Sequence, residues 1–132
     1  MLIFPYETGE LPPAPHIDLQ ISVPHQSETL KNMRAKLDSG ASLTVIPQNL
    51  VRQWNLIKHM DVRVRAYDGT LGMRPAYYVD IRIGTRWFLD VRVIASKRRN
   101  ILLGRNVLNQ LSITHDGPHQ IVRIHYLRPV RR

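Results

Sequence analysis

The stretch "AKLDSGASLTVIP", residues 35–47, sets a carboxylate between an alternating run and an apolar one. Asp38 is followed at once by Ser39, Gly40 and Ala41. A charge flanked by apolar strands is costly unless it is stabilised or shared. Two readings fit these residues. In one, Asp38 accepts backbone amides and merely closes a loop as an Asx-turn. In the other it is a reactive carboxylate held in a tight loop, where Gly40 allows a backbone conformation or a close approach that a side chain would obstruct. A second segment bears on the choice: "ILLGRNVLNQL", residues 101–111, is an apolar strand, a glycine, then Arg-Asn opening a short helix.

The elements that must position these segments are almost all strands. "HIDLQISV", "MRAKL", "VRVRA" from Val62, "YVDIRI", "LDVRV" and "IVRIHYL" alternate apolar and polar residues with period two. Thr44, Val45 and Ile46 suit a further strand, and Gly84-Thr85 reads as a hairpin turn. Two pieces look helical: Pro47 to about Asn55, with proline at its first turn, and about Asn106 to Leu111. "ELPPAP" is extended, so residues 1–16 read as a flexible, Pro-rich lead-in and residues 17–132 as the domain. The pattern predicts a small, mainly antiparallel, all-β domain with one or two short helices.

Composition narrows the chemistry. The chain has 132 residues, enough for one domain with a modest core. It has no cysteine, which removes disulfides, thiolate chemistry and Cys-based zinc sites. No run approaches the roughly 18 apolar residues of a membrane span. "MLIFPYETGE" lacks the basic opening and long apolar stretch of a signal peptide, so the expectation is a cytoplasmic protein without a membrane partner. The net charge of +9 is uneven: residues 1–30 hold four acids and no Lys or Arg, while the remainder holds all 19 basic residues against six Asp, or +13. Such a field suits acidic partners or is simply a solvated basic surface. Lys97, Arg98 and Arg99 form the best basic cluster, but without interleaved aromatics it reads as a loop rather than a nucleic-acid site. His115, Asp116 and His119 lie close in sequence, but Gly117-Pro118 breaks any helical spacing, and neither a metal nor another cofactor is expected.

Together, "LDSGAS" and "ILLGRN" resemble the two signature segments of the retropepsins, the retroviral-type aspartic proteases. That family carries apolar-Asp-Thr/Ser-Gly-Ala and, some sixty-odd residues later, apolar-apolar-Gly-Arg-Asp/Asn before a C-terminal helix. Here Gly40 and Gly104 are 64 positions apart, and the resemblance covers roughly residues 17–115. It implies a small closed barrel-like acid-protease fold, one lobe per chain, and hydrolysis of an extended peptide. Carboxylate-based peptide hydrolysis needs two such groups sharing a proton. Asp68-Gly69-Thr70 and Asp116-Gly117-Pro118 do not repeat the motif, so the second carboxylate must be Asp38 of another copy in a symmetric homodimer.

By the same likeness Ser39 stands where the family usually has Thr, whose hydroxyl bonds across the dimer. Gly40 and Ala41 complete the loop. Leu103, Gly104, Arg105 and Asn106 form the supporting segment, with Arg105 resembling an arginine that ties core and dimer through ion pairs. The place for the flap lies between about Val64 and Tyr78, with Tyr67, Asp68, Gly69 and Thr70 at its turn and Pro75 interrupting the returning strand. In the viral members, terminal strands of both copies interleave into one sheet; "IVRIHYLRPVRR" supplies a final strand with a basic tail, and a different dimer sheet is open. The rival readings are a non-catalytic dimerisation or binding module on the same fold and a basic nucleic-acid-associated domain.

Overall fold

A computed structural model describes residues 1–65, 68–125 and 128–129. The strands are β1 (Leu2–Pro5), β2 (His16–Ser22), β3 (Lys31–Leu37), β4 (Thr44–Pro47), β5 (Met60–Arg65), β6 (Leu71–Ile83), β7 (Arg86–Ser96), β8 (Ile101–Leu103), β9 (Ile113–Asp116) and β10 (Ile121–Ile124). Two short helices, α1 (Gln48–Gln53) and α2 (Arg105–Leu108), and a single 3-10 turn at Ser27–Thr29 complete the described elements. No helix among the described residues is long and apolar enough to cross a membrane.

Seven strands form one sheet in the order β2-β3-β8-β4-β7-β6-β5, and an additional β2–β6 pairing closes six of them into a barrel. β5 is left outside the closure, paired only with β6 as a projecting hairpin. The period-two residues turn inward: Ile17 and Ile21 of β2, Val79, Ile81 and Ile83 of β6, Val93 of β7 and Ile101 and Leu103 of β8 are all fully buried. Burial of each such side chain contributes about 1.5–3 kcal/mol, and this inner layer holds the barrel shut.

The register explains how segments 64 residues apart meet. Most pairings are antiparallel, but β3 runs parallel to β8, with Leu37 opposite Leu103. Parallel partners end at the same edge of a sheet, so Asp38 and Gly104 leave the barrel side by side. β4 starts from that edge between β8 and β7, with Val45 facing Leu102 and Ile94.

Three local expectations change. Pro75 does not interrupt β6; it sits opposite Asp61 of β5, in the portion of the strand before pairing with β7 begins at Tyr77. Proline lacks a donor, and a stretch with a partner on one side only tolerates that loss. Part of residues 1–16, expected as a lead-in, is regularly paired: Leu2–Pro5 forms β1 against β10, and Glu7 bridges Ala14. His16 itself opens β2 and is buried, with Nδ1 3.1 Å from the Ala14 carbonyl. β1, β10 and β9 form a separate three-stranded sheet in that order.

One buried charge serves the barrel directly. Asp80 is fully buried at an irregularity in the β6–β7 ladder, and its carboxylate accepts the backbone N–H of His25 and of Asp90, each at 2.9 Å. Both donors have left-handed backbones, φ 61° and 50°, so the carboxylate fixes the turn after β2 at His25 and the irregularity within β7 at Asp90.

Candidate active site

The loop of residues 38–43 hangs from the barrel edge by hydrogen bonds from both sides. Asp38 donates its N–H to the Leu103 carbonyl at 3.0 Å, extending the β3–β8 ladder by one residue. On the far side, Arg105 N–H bonds the Ala41 carbonyl at 2.8 Å and Asn106 N–H the Ser42 carbonyl at 3.3 Å. The Arg105 guanidinium then reaches over the loop and donates from Nη1 to the Ser39 carbonyl at 2.7 Å. The resemblance implied ion pairs for this arginine; within one chain its partner is that backbone carbonyl, and among the described residues it forms no ion pair.

Asn106 is the hub beneath the loop. Its Oδ1 accepts from the Thr44 N–H at 3.1 Å and the Thr44 hydroxyl at 2.9 Å, while Nδ2 donates to the Arg92 carbonyl at 2.8 Å. Thr44, fully buried, uses the same Oγ1 to accept the Gly104 N–H at 3.1 Å. These bonds couple β4, β7 and α2. Gly104 is required by space: a Cβ there would lie 2.5 Å from both the carbon and the oxygen of the Leu43 carbonyl. Sequence reasoning picked out Asn106 and Gly104 but missed Thr44; a lone hydroxyl opening the apolar run before Pro47 was the available signal.

Within the loop, Asp38 Oδ1 accepts the Gly40 N–H at 2.9 Å. The Asx-turn reading is therefore correct as geometry. It accounts for only one carboxylate oxygen: Oδ2 has no hydrogen-bond partner among the described residues. A Cβ on Gly40 would approach Asp38 Oδ1 to 3.1 Å, so glycine keeps that oxygen uncrowded. Asp38 is half-buried, Ser39 and Gly40 are exposed, and the Ser39 hydroxyl has no partner among the described residues. The loop thus presents a carboxylate oxygen and a hydroxyl outward from a rigid base.

The remaining candidates lie elsewhere. β5 and β6 form the projecting hairpin, closed by Arg65 opposite Leu71. Its turn holds Gly69 at φ 84° and Thr70, whose N–H and hydroxyl both bond the Asp68 carboxylate. Those bonds, the hydroxyl first, hold the Asp68 carboxyl below its usual range. Tyr67 lies outside the described residues. Asp116 and His119 are joined in the β9–β10 turn, and Asp116 is also bound by Arg123 at 3.0 Å, which holds its carboxyl below the usual range ahead of the His119 contributions. No group of three metal-binding side chains occurs among the described residues. A groove of about 560 Å³ is bordered by Arg86, Trp87, Arg92 and Asn106 among others, and does not include Asp38.

Residues 29–110, which contain both motif segments, match the family described as "gag-polyprotein putative aspartyl protease". The chain belongs to this aspartyl protease family. Solved structures repeat the fold. A retropepsin-like aspartic protease from Rickettsia conorii superposes with a TM-score of 0.63 over 93% of this chain and 88% of that one, at 13% identity. The simian foamy virus (mac) protease gives 0.51 over 70% and 92% at 20% identity. The EIAV protease complexed with the inhibitor HBY-793 gives 0.52 over 73% and 86% at 17% identity. At such identities the likeness concerns the retropepsin-like fold alone. Among curated proteins, none matches this chain.

Proposed function

We propose that the protein is an aspartic endopeptidase in which Asp38 of two identical chains forms the reactive pair. One observation carries this reading: a carboxylate at the barrel edge, with its loop tied on every side, keeps one oxygen free of any described partner. In a symmetric homodimer the two Asp38 groups meet on the two-fold axis. Two carboxylates about 3 Å apart cannot both ionise, so they share one proton. The ionised member takes a proton from the attacking water while the protonated member gives one to the scissile carbonyl oxygen, and the roles reverse as the amine leaves. Ser39 supplies a hydroxyl free to bond across the dimer. The Arg105 and Asn106 bonds hold the loops so that neither carboxylate shifts when the water is polarised. The extended substrate lies under the β5–β6 hairpin, pairing backbone to backbone.

The test is cleavage of a mixed peptide library between pH 3 and 8 by the wild type and by Asp38→Asn, with association state measured in parallel. Acid-side activity abolished by the substitution supports the proposal. A dimer that cleaves nothing overturns it and favours a binding module on the same fold.

A further inference from the structure

We infer that the second chain docks along the free edge of β9, joining the two three-stranded sheets into one of six strands whose two-fold axis passes beside Thr114. This rests on the homodimeric reading above, because one chain offers only one Asp38. Its argument is the hydrogen-bond phase of the small sheet.

In antiparallel pairs, bonded and non-bonded positions alternate. His125 donates its N–H to the Ser112 carbonyl at 2.9 Å, and the register pairs Ile113 with Ile124 and Thr114 with Arg123. The residues of β9 bonded to β10 are therefore Thr114 and Asp116, while Ile113 and His115 turn N–H and C=O to the opposite edge. The same reasoning applies at β1. Tyr6 donates to Gln120 at 2.8 Å, and Leu2 faces Ile124. Leu2 and Phe4 thus bond β10, and Ile3 and Pro5 face outward.

Three consequences select the edge. β10 has a neighbour from its own chain on each side, so it cannot be sandwiched between partner strands as the interleaved viral sheet requires. The outer edge of β1 offers one donor only, since Pro5 has no N–H, a common way of blunting an edge. The outer edge of β9 offers two complete peptide groups, and no other described strand covers it. β9 is also the edge tied to the candidate site: it follows α2, whose Arg105 holds the Ser39 carbonyl. β1 lies two strands away, about 10 Å at the usual strand spacing.

A strand pairing with its own copy across a two-fold axis must be antiparallel. Register about Thr114 sets Ile113 against the partner's His115 and His115 against the partner's Ile113, using all four outward donors and acceptors on each side. Thr114 then meets its copy at a non-bonded position, with Cα atoms about 4.5 Å apart. Asp116 falls opposite the partner's Ser112, so no like charges face each other directly. The edge fits a second copy of this chain.

The chain has no cysteine, which makes a single introduced thiol diagnostic. Cα atoms about 4.5 Å apart are within disulfide range. Thr114→Cys should therefore form a covalent dimer on mild oxidation, seen by non-reducing electrophoresis, and Ile3→Cys should not. His115→Pro removes one outward donor per chain without touching the β9–β10 ladder. It should weaken association about 30-fold by sedimentation, two hydrogen bonds per dimer being lost, with the circular dichroism unchanged. Crosslinking through Ile3→Cys instead, or unchanged association in His115→Pro, overturns the β9 edge and leaves the homodimer standing. A wild type that stays monomeric at every concentration overturns both.

Discussion

Removing the Asn106 side chain should be the most damaging single truncation near the loop. Asn106→Ala deletes three hydrogen bonds, two to Thr44 and one to the Arg92 carbonyl. The Thr44 hydroxyl keeps its bond to Gly104. The Thr44 N–H, in a fully buried residue, is left with no partner, and the half-buried Arg92 carbonyl loses its donor. A stranded buried group costs about 1–3 kcal/mol. Taking the upper part of that range for Thr44 and the lower for Arg92 gives about 3–4 kcal/mol. Typical domains are stable by only about 5–15 kcal/mol, so the fold should survive with a clear deficit. With an unfolding entropy of about 2.1 cal/mol/K per residue over 132 residues, the melting temperature should drop by about 10–15 °C. Urea unfolding followed by tryptophan fluorescence measures the free-energy loss, and thermal unfolding followed by circular dichroism measures the melting temperature. Asn106→Asp keeps the acceptor for Thr44 but sets an oxygen against the Arg92 carbonyl, so it should fall between wild type and Asn106→Ala. A loss under about 1 kcal/mol for Asn106→Ala would refute the reasoning, because it would mean that water replaces the amide at no penalty.

Gly104→Ala should destabilise by at least about 3 kcal/mol or prevent folding, since both atoms its Cβ would meet at 2.5 Å are backbone; soluble yield and urea midpoint report it, and a near-neutral result would show that the Leu43 carbonyl can swing away. The Asp116 carboxyl is held below its ordinary value of 3.8, chiefly by Arg123 and then by His119. A lowered carboxylate contributes stability above its unfolded pKa and loses it as pH falls through the folded one. The protection of amides in the β9–β10 hairpin, taken relative to the intrinsic exchange rate at each pH, should therefore be constant above about pH 5 and fall below 3.8, and Asp116→Asn should remove that acid limb.

Much of the barrel could be read from period-two alternation, because strands with one buried face leave that signature in every second residue. The Gly84-Thr85 turn between β6 and β7, the two motif segments and both helical regions were legible for equally local reasons. What escaped depended on partners distant in the chain. β1 is only four residues, one of them proline, and is a strand because β10 is present to pair with it. Pro75 looked disruptive until the one-sided pairing of its part of β6 was known. A lone hydroxyl at the head of an apolar run is the one local mark of Thr44, and it does not name Asn106 and Gly104 as partners, since they are brought there by the parallel β3–β8 and β4–β7 pairings. Likewise, the alternation of "IVRIHYL" announces a strand but not that its neighbours are β1 and β9.

The pairing of β1 with β10 joins residues 122 positions apart, Leu2 and Ile124. Closing so long a loop costs about 4 kcal/mol in chain entropy, which four residues of ladder and the partly buried Leu2 and Phe4 must offset. β1 precedes the other described strands in the chain and its partner β10 follows them, so during synthesis the segment "LIFP" waits unpaired until β10 emerges. Docking of β1 therefore has to wait for β10. Cutting it away would bare the middle strand of the small sheet and convert a blunted boundary into an open template for aggregation.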